Sequence, residues 1–304
     1  MPDHIPRGIF LVIAATLAIS LQDVVFKAFG NQMTLWQIFA LRGALALPLF
    51  LVLTRRGGTS IVHQALAPPV LLRACCMTLT FLAFYAAIPF LSLSTLGAAN
   101  YMAPIFVALL SAYAIGERVS RRGWLAVLIG FAGVLVLLRP GSDAFSPWAL
   151  LPLAGAMFYA CGHILTRTRC RDVTASAMAF AVILATTCAG LIGSTVIALA
   201  RPSEAAAQAI PYLLGTWSPL GQAEVVVLVA LTCLTLAATL LLAAAYKSAP
   251  PATVATFEYS YLVFVAFWDL LFFATPPGTW TLLGMVMIVG AGLLLLSPAA
   301  RSGR

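Results

Sequence analysis

The chain has 304 residues, of which 62% are hydrophobic and only 9% charged, and its mean hydropathy is +1.03. So little charge cannot cover a water-facing surface, so a soluble globular domain is excluded and lipid is the solvent of the fold. The net charge of +8 comes with no basic tail and no basic patch interleaved with aromatics, which argues against nucleic acid as a partner.

A helix needs about 20 predominantly apolar residues to cross the hydrocarbon core. Windows of that kind fall in chain order at 8–29, 34–53, 69–90, 94–115, 123–139, 147–167, 173–199, 224–245, 252–273 and 279–297. The predicted class is therefore an all-α integral membrane protein with ten transmembrane helices. Barrel strands would alternate with period two, and runs such as Val225–Ala245 do not. The first window resembles a secretory signal only superficially, because Gln22, Asp23 and Lys27 continue its helical pattern past the small residues Ala18 and Ser20. Pro48, Pro104 and Pro152 are expected to kink their helices. The pairs Ala126/Gly130 and Ala189/Gly193 have the small-x-x-x-small spacing that lets helices approach closely. The longest connection, 200–223, carries Tyr212 and Trp217 and is expected to rest at the outer interface.

Cytoplasmic loops retain Lys and Arg during insertion. With the N-terminus inside, Arg7, Arg55, Arg56, Arg73, Arg118, Arg121, Arg122, Arg167, Arg169, Arg171, Lys247, Arg301 and Arg304 are cytoplasmic. Only Lys27, Arg139 and Arg201 lie outside, and Arg42 lies within a span. Both termini are predicted in the cytoplasm and the inner (plasma) membrane is the expected location, with membrane lipid as the surrounding partner and no obligatory protein partner. The windows ending at Pro140 and Pro298 both run from Trp through small-residue helices, and setting Gly133 against Gly290 gives an offset of 157. Two five-helix units are implied, 1–140 and 141–304. A unit with an odd number of spans inserts upside down on repetition, so the second is inverted, an arrangement that puts a substrate site near the midplane between the halves.

Polar groups in the spans are costly, so each needs a reason to be there. In span one, Asp23 and Lys27 are four apart and can form an intrahelical ion pair, while Arg42 on the neighbouring span is at a depth to bridge Asp23. These three are read as structural, with cavity exposure of Gln22 or Asp23 as the functional alternative. Phe81 and Tyr85 in span three offer aromatic surface. Glu258 in span nine and its partner under the offset, Tyr101, are expected with Asn100 to line the central cavity, Glu258 attracting a substrate ammonium. Tyr159 and His163 lie four apart on span six, where a His can titrate near neutrality.

The stretch FYAAIPFLSLSTLGAANYMAPIFVALLSAYAIGERVSRRGWLAVLIGFAGVLVLLRP, Phe84–Pro140, resembles the EamA-type branch of the drug/metabolite transporter superfamily. The features that match are the Ala-rich third span, Pro104, the Gly116-Glu117 pair, Arg42 in span two and the Gly-rich fifth span ending in Arg139-Pro140. The second half departs from the pattern, with Tyr261 where Pro104 repeats and Ala274 where a Glu is expected. The resemblance implies a ten-helix inner-membrane carrier exporting small metabolites, amino acids (aromatic and large neutral) foremost, by alternating access. Drug-like organic cations are the alternative cargo, and an intramembrane enzyme or receptor the competing class. An enzyme would need a catalytic pair at matching depth, and none of Asp23, Asp269 and Glu258 forms one. The six cysteines show no metal-ligand or CxxC spacing, and neither a metal nor a cofactor is expected.

Overall fold

The computed structural model of the chain describes residues 5–29, 32–53, 58–114, 121–139, 145–249, 254 and 257–296. Among these residues there is no strand, and the helices in order are α1 (Ile5–Phe29), α2 (Leu35–Leu53), α3 (Gly58–Ala65), α4 (Pro68–Ala87), α5 (Leu93–Asn100), α6 (Ala103–Ala114), α7 (Arg121–Leu138), α8 (Leu150–Arg169), α9 (Ala175–Ala200), α10 (Glu204–Ala209), α11 (Pro211–Leu214), α12 (Gln222–Ser248), α13 (Ser260–Phe273) and α14 (Thr279–Leu296). Eight apolar segments are long enough to cross a membrane, counting α5 and α6 as one, and α13 and α14 are shorter apolar helices. Ser and Thr hydroxyls inside the helices fold back onto carbonyls three or four residues earlier, as Thr16, Thr80, Thr186 and Thr232 do. Without water, that is how a hydroxyl is satisfied at no cost in helix continuity.

Four antiparallel helix pairs carry the tightest packing: α1 with α12, α2 with α9, α4 with α8, and α7 with α14. Small residues set the contact lines. On α7 and α14, Gly130 faces Ala291, Gly133 faces Met287 and Ile288, and Gly284 faces Leu137. Between α2 and α9, Gly190 lies so close to the α2 backbone that an added Cβ would stand 2.7 Å from Trp36 O, and Gly193 seats the Trp36 ring. Numbering the apolar segments one to ten, exchange of the two sets of five maps pair three–six (α4/α8) onto eight–one (α12/α1). The same exchange maps two–seven (α2/α9) and five–ten (α7/α14) onto themselves. Self-mapped pairs must be antiparallel if the two halves are related by an axis in the membrane plane, and these are.

Several elements differ from the sequence expectation. The fourth span is not one helix: α5 stops at Asn100 and α6 starts at Ala103. The ninth is likewise interrupted by a turn at Tyr259 before α13. The turn at Tyr259 falls opposite Met102 of the Tyr101-Met102 break under the 157-residue offset. Pro104 and Pro152 sit in the first turns of α6 and α8, where the missing N–H is not needed, so neither kinks a helix interior; Pro48 lies inside α2. The 58–65 stretch, expected as loop, is the short helix α3, tied to α9 where Gln64 Oε1 accepts from Thr174 N and Oγ1. The Gly116-Glu117 pair, Pro140 and several of the predicted cytoplasmic basic residues, Arg55, Arg56 and Arg118 among them, lie outside the described residues.

Candidate functional site

A polar network runs through the middle of the bundle and joins five helices. Asp23 of α1 is 1% exposed and accepts two phenols, Tyr85 of α4 at Oδ1 (3.0 Å) and Tyr261 of α13 at Oδ2 (2.6 Å). Gln22 Nε2 donates to the Tyr85 hydroxyl (2.5 Å), and Gln22 Oε1 faces Thr235 Oγ1 of α12. That oxygen accepts from Arg42 Nη1 of α2 at 3.5 Å, and Leu231 O offers its proton a second acceptor at 2.7 Å. Arg42 is thus linked to Asp23 through Thr235, Gln22 and Tyr85, a chain of neutral groups between a buried base and a buried acid. The guanidinium lies 5.4 Å from the ring centroids of both Phe26 and Phe39, and Phe26 stacks on Tyr85 at 4.0 Å.

This geometry corrects the ion pairs expected from spacing. Asp23 pairs with neither Lys27 nor Arg42. Lys27 turns instead to Asp269 of α13 (3.7 Å) and donates to Leu91 O (2.7 Å), with the Phe273 ring 4.7 Å away. Asp269 is wholly buried and accepts from Leu93 N (2.9 Å), Ser94 N (2.7 Å) and Ser94 Oγ (2.7 Å), so it caps the N-terminus of α5 from the opposite half of the chain.

A second cluster adjoins the first at the two helix breaks. Tyr101 donates its hydroxyl to the backbone carbonyl of Glu258 at 2.7 Å, so the residues paired by the offset are in contact. Residues related by a two-fold axis can touch only on or near it. The Tyr101 ring lies 5.1 Å from Tyr259 and 5.6 Å from Tyr261, which carries the aromatic surface on to Asp23. Gly97 makes room for the Tyr261 ring: a Cβ there would stand 2.8 Å from it. The half-buried Glu258 side chain acts electrostatically on Tyr101, Tyr159 and Tyr259. Among the described residues, Tyr259 OH and Asn100 Oδ1 are buried polar atoms without a partner.

The residues singled out from the sequence are therefore distributed in three ways. Gln22 and Tyr85 join Asp23 and Arg42 in the central network, and Tyr101 and Glu258 meet at the breaks with Asn100 beside them. Tyr159 and His163 pack together, ring centroids 4.3 Å apart, with His163 exposed. Phe81 reaches Tyr85 only at 6.5 Å and is itself exposed. Sequence reasoning missed Tyr261 and Thr235 as members of the network. Tyr261 carried a signal, since it stands where Pro104 repeats; a lone Thr in the apolar α12 carried none.

Apolar helices long enough to span a bilayer, two of the spans interrupted by a turn, around a buried polar network drawn from distant parts of the chain define a polytopic membrane carrier. The EamA-like transporter family model matches residues 6–139. The chain is similar to the pseudopaline exporter of Pseudomonas aeruginosa, 25% identical over 294 residues that cover 96% of this chain and 97% of that one. It is also similar to the riboflavin transporter of Vibrio cholerae, 28% identical over 64% of this chain and 58% of that one. A solved crystal structure, 19% identical, superposes with a TM-score of 0.63 over 98% of this chain and 99% of that chain, a likeness of fold. Residues 6–139 thus carry the pattern of the EamA-like transporter family, and the relatives that the chain resembles along most of its length are transporters.

Proposed function

We propose that this carrier exports amino acids, aromatic and large neutral ones first, across the inner membrane by alternating access between two inverted five-helix units, 1–140 and 141–304. The observation that carries the reading is the buried aromatic cluster in which Tyr101 packs on Tyr259 and Tyr261, with Glu258 beside it and Asp23 joining Tyr261 to Tyr85. Aromatic rings supply apolar contact for a side chain, and the carboxylates attract an ammonium group. The relatives' names, a pseudopaline exporter and a riboflavin transporter, support an organic metabolite as cargo. Both termini lie in the cytoplasm in this reading, supported by the basic residues crowding one side of the chain. Organic cations are the second reading, favoured by the same pairing of carboxylates with aromatic faces.

The test is uptake of a labelled amino-acid panel into proteoliposomes of the purified protein, with and without an imposed pH gradient. Saturable uptake of phenylalanine or leucine, reduced in Glu258→Gln, is the expected result. Uptake of organic cations but of no amino acid by folded protein would transfer the assignment to the second reading.

A further inference from the structure

Arg42 is the least satisfied charge in the described core. It is 8% exposed and lies in the middle of α2, yet its five N–H donors find only Thr235 Oγ1, at 3.5 Å, and the Tyr85 hydroxyl as acceptors. Two aromatic rings flank it and hold it in place without using a donor. A buried charge in an apolar medium is normally paired and hydrogen-bonded throughout. Tyr212 of α11 points to what is missing. It is 2% exposed, its hydroxyl has no partner, and it lies within electrostatic reach of Arg42. A guanidinium with most of its donors unused, within electrostatic reach of an orphaned hydroxyl on a segment packed against the same helix, is a donor set without its acceptor.

We propose that Arg42 and Tyr212 form the subsite for a carboxylate of the transported molecule. The planar fork of a guanidinium matches a carboxylate with two parallel hydrogen bonds, and the Tyr212 hydroxyl donates a third. Thr235 and Gln22 continue the line from this subsite to Tyr85 and Asp23, so an acid stands at a fixed separation from the base. Had Asp23 bridged Arg42 directly, neither charge would be free to meet a zwitterion; the intervening neutral groups keep them apart. The segment bearing Tyr212 is held onto α2 by Trp36 Nε1 donating to Leu213 O (2.8 Å) and by Gln37 Nε2 donating to Ser218 O (2.8 Å). It therefore covers the subsite from the side of the α9–α12 connection. This assignment deepens the proposed transport of amino acids and rests on that reading for the carboxylate's source.

The experiment uses full-length protein and two probe pairs: phenylalanine against phenylalaninamide, and benzoate against benzamide. Thermal stabilisation in detergent reads binding, and proteoliposome uptake reads transport. Each carboxylate is expected to stabilise the wild type more than its amide does. The preference falls about tenfold or more in apparent affinity in Arg42→Gln, stays reduced in Arg42→Lys and falls about threefold or more in Tyr212→Phe, which loses one hydroxyl and leaves the ring's packing intact. Equal stabilisation by carboxylate and amide, no stabilisation by either carboxylate, or an undiminished preference in Arg42→Gln and Tyr212→Phe overturns the subsite. Uptake of phenylalanine and its amide at equal rates leaves the amino-acid reading standing and removes the subsite. Benzoate preference lost in Arg42→Gln, without amino-acid uptake by the wild type, leaves the subsite standing and removes the amino-acid reading.

Discussion

Replacing Asp269 by Ala should destabilise this protein more than any other single polar truncation near the Lys27 end of the bundle. The carboxylate is fully buried and holds three hydrogen bonds of 2.7–2.9 Å from Leu93 and Ser94, with Lys27 at 3.7 Å. The alanine variant leaves two backbone N–H groups at the start of α5 without their acceptor and a largely buried ammonium without its counter-charge. Breaking a buried charged pair by removing one partner costs about 3–5 kcal/mol. At about 2 °C per kcal/mol for a chain of this size, the melting temperature in detergent should fall by about 6–10 °C. Ser94→Ala removes only the hydroxyl bond and should cost about 1.5–3 kcal/mol. Lys27→Met removes the bond to Leu91 O and the counter-charge of a buried carboxylate that keeps its three donors, so it should cost less than Asp269→Ala, about 1.5–3 kcal/mol. The double variant Ser94→Ala/Asp269→Ala should match Asp269→Ala alone, since both remove the same bond. Thermal unfolding followed by size-exclusion retention decides the matter. A melting temperature for Asp269→Ala within about 2 °C of the wild type would refute the capping role and with it the claim that this residue joins the two halves.

Arg42→Met should leave the melting temperature unchanged or raise it, since it removes a buried charge with few hydrogen bonds and no paired carboxylate while conserving volume; a fall of more than about 5 °C would show that the guanidinium is structural. Gly190→Ala should prevent or severely weaken folding, because its Cβ would meet the backbone of α2 at Trp36 O (2.7 Å) and at Ala40 N. Gly290→Ala, with nothing within 4 Å, should be neutral or stabilising by about 0.5–1 kcal/mol through helix propensity, and expression with thermal unfolding compares the two. Tyr101→Phe loses only the bond to Glu258 O and should leave the fold intact while changing transport; identical melting and identical uptake kinetics would remove that contact from the mechanism.

The membrane class, the apolar segments and the family resemblance were all legible in the sequence, because each depends on a local property: a run of about 20 apolar residues reports its solvent whatever it packs against. The offset of 157 was legible for the same reason, since small residues recur wherever two helices approach closely, and it led to the Tyr101–Glu258 contact across the halves. Helical spacing names only neighbours on the same helix, which is why Asp23 and Lys27 looked like a pair. Their real partners, Tyr85 and Tyr261 for one and Asp269 for the other, lie 62, 238 and 242 positions away in the chain. The break at Tyr101-Met102 had a local signal, since Pro104 lacks the N–H that would bond Asn100 O and its ring disfavours a continuous helix there. The turn at Tyr259 has no glycine or proline within five residues, so local propensity predicts an unbroken helix, and only the structure shows the turn, packed on Tyr101. In lipid every buried polar group must find its partner inside the protein, and which partner it finds is decided only when distant helices meet.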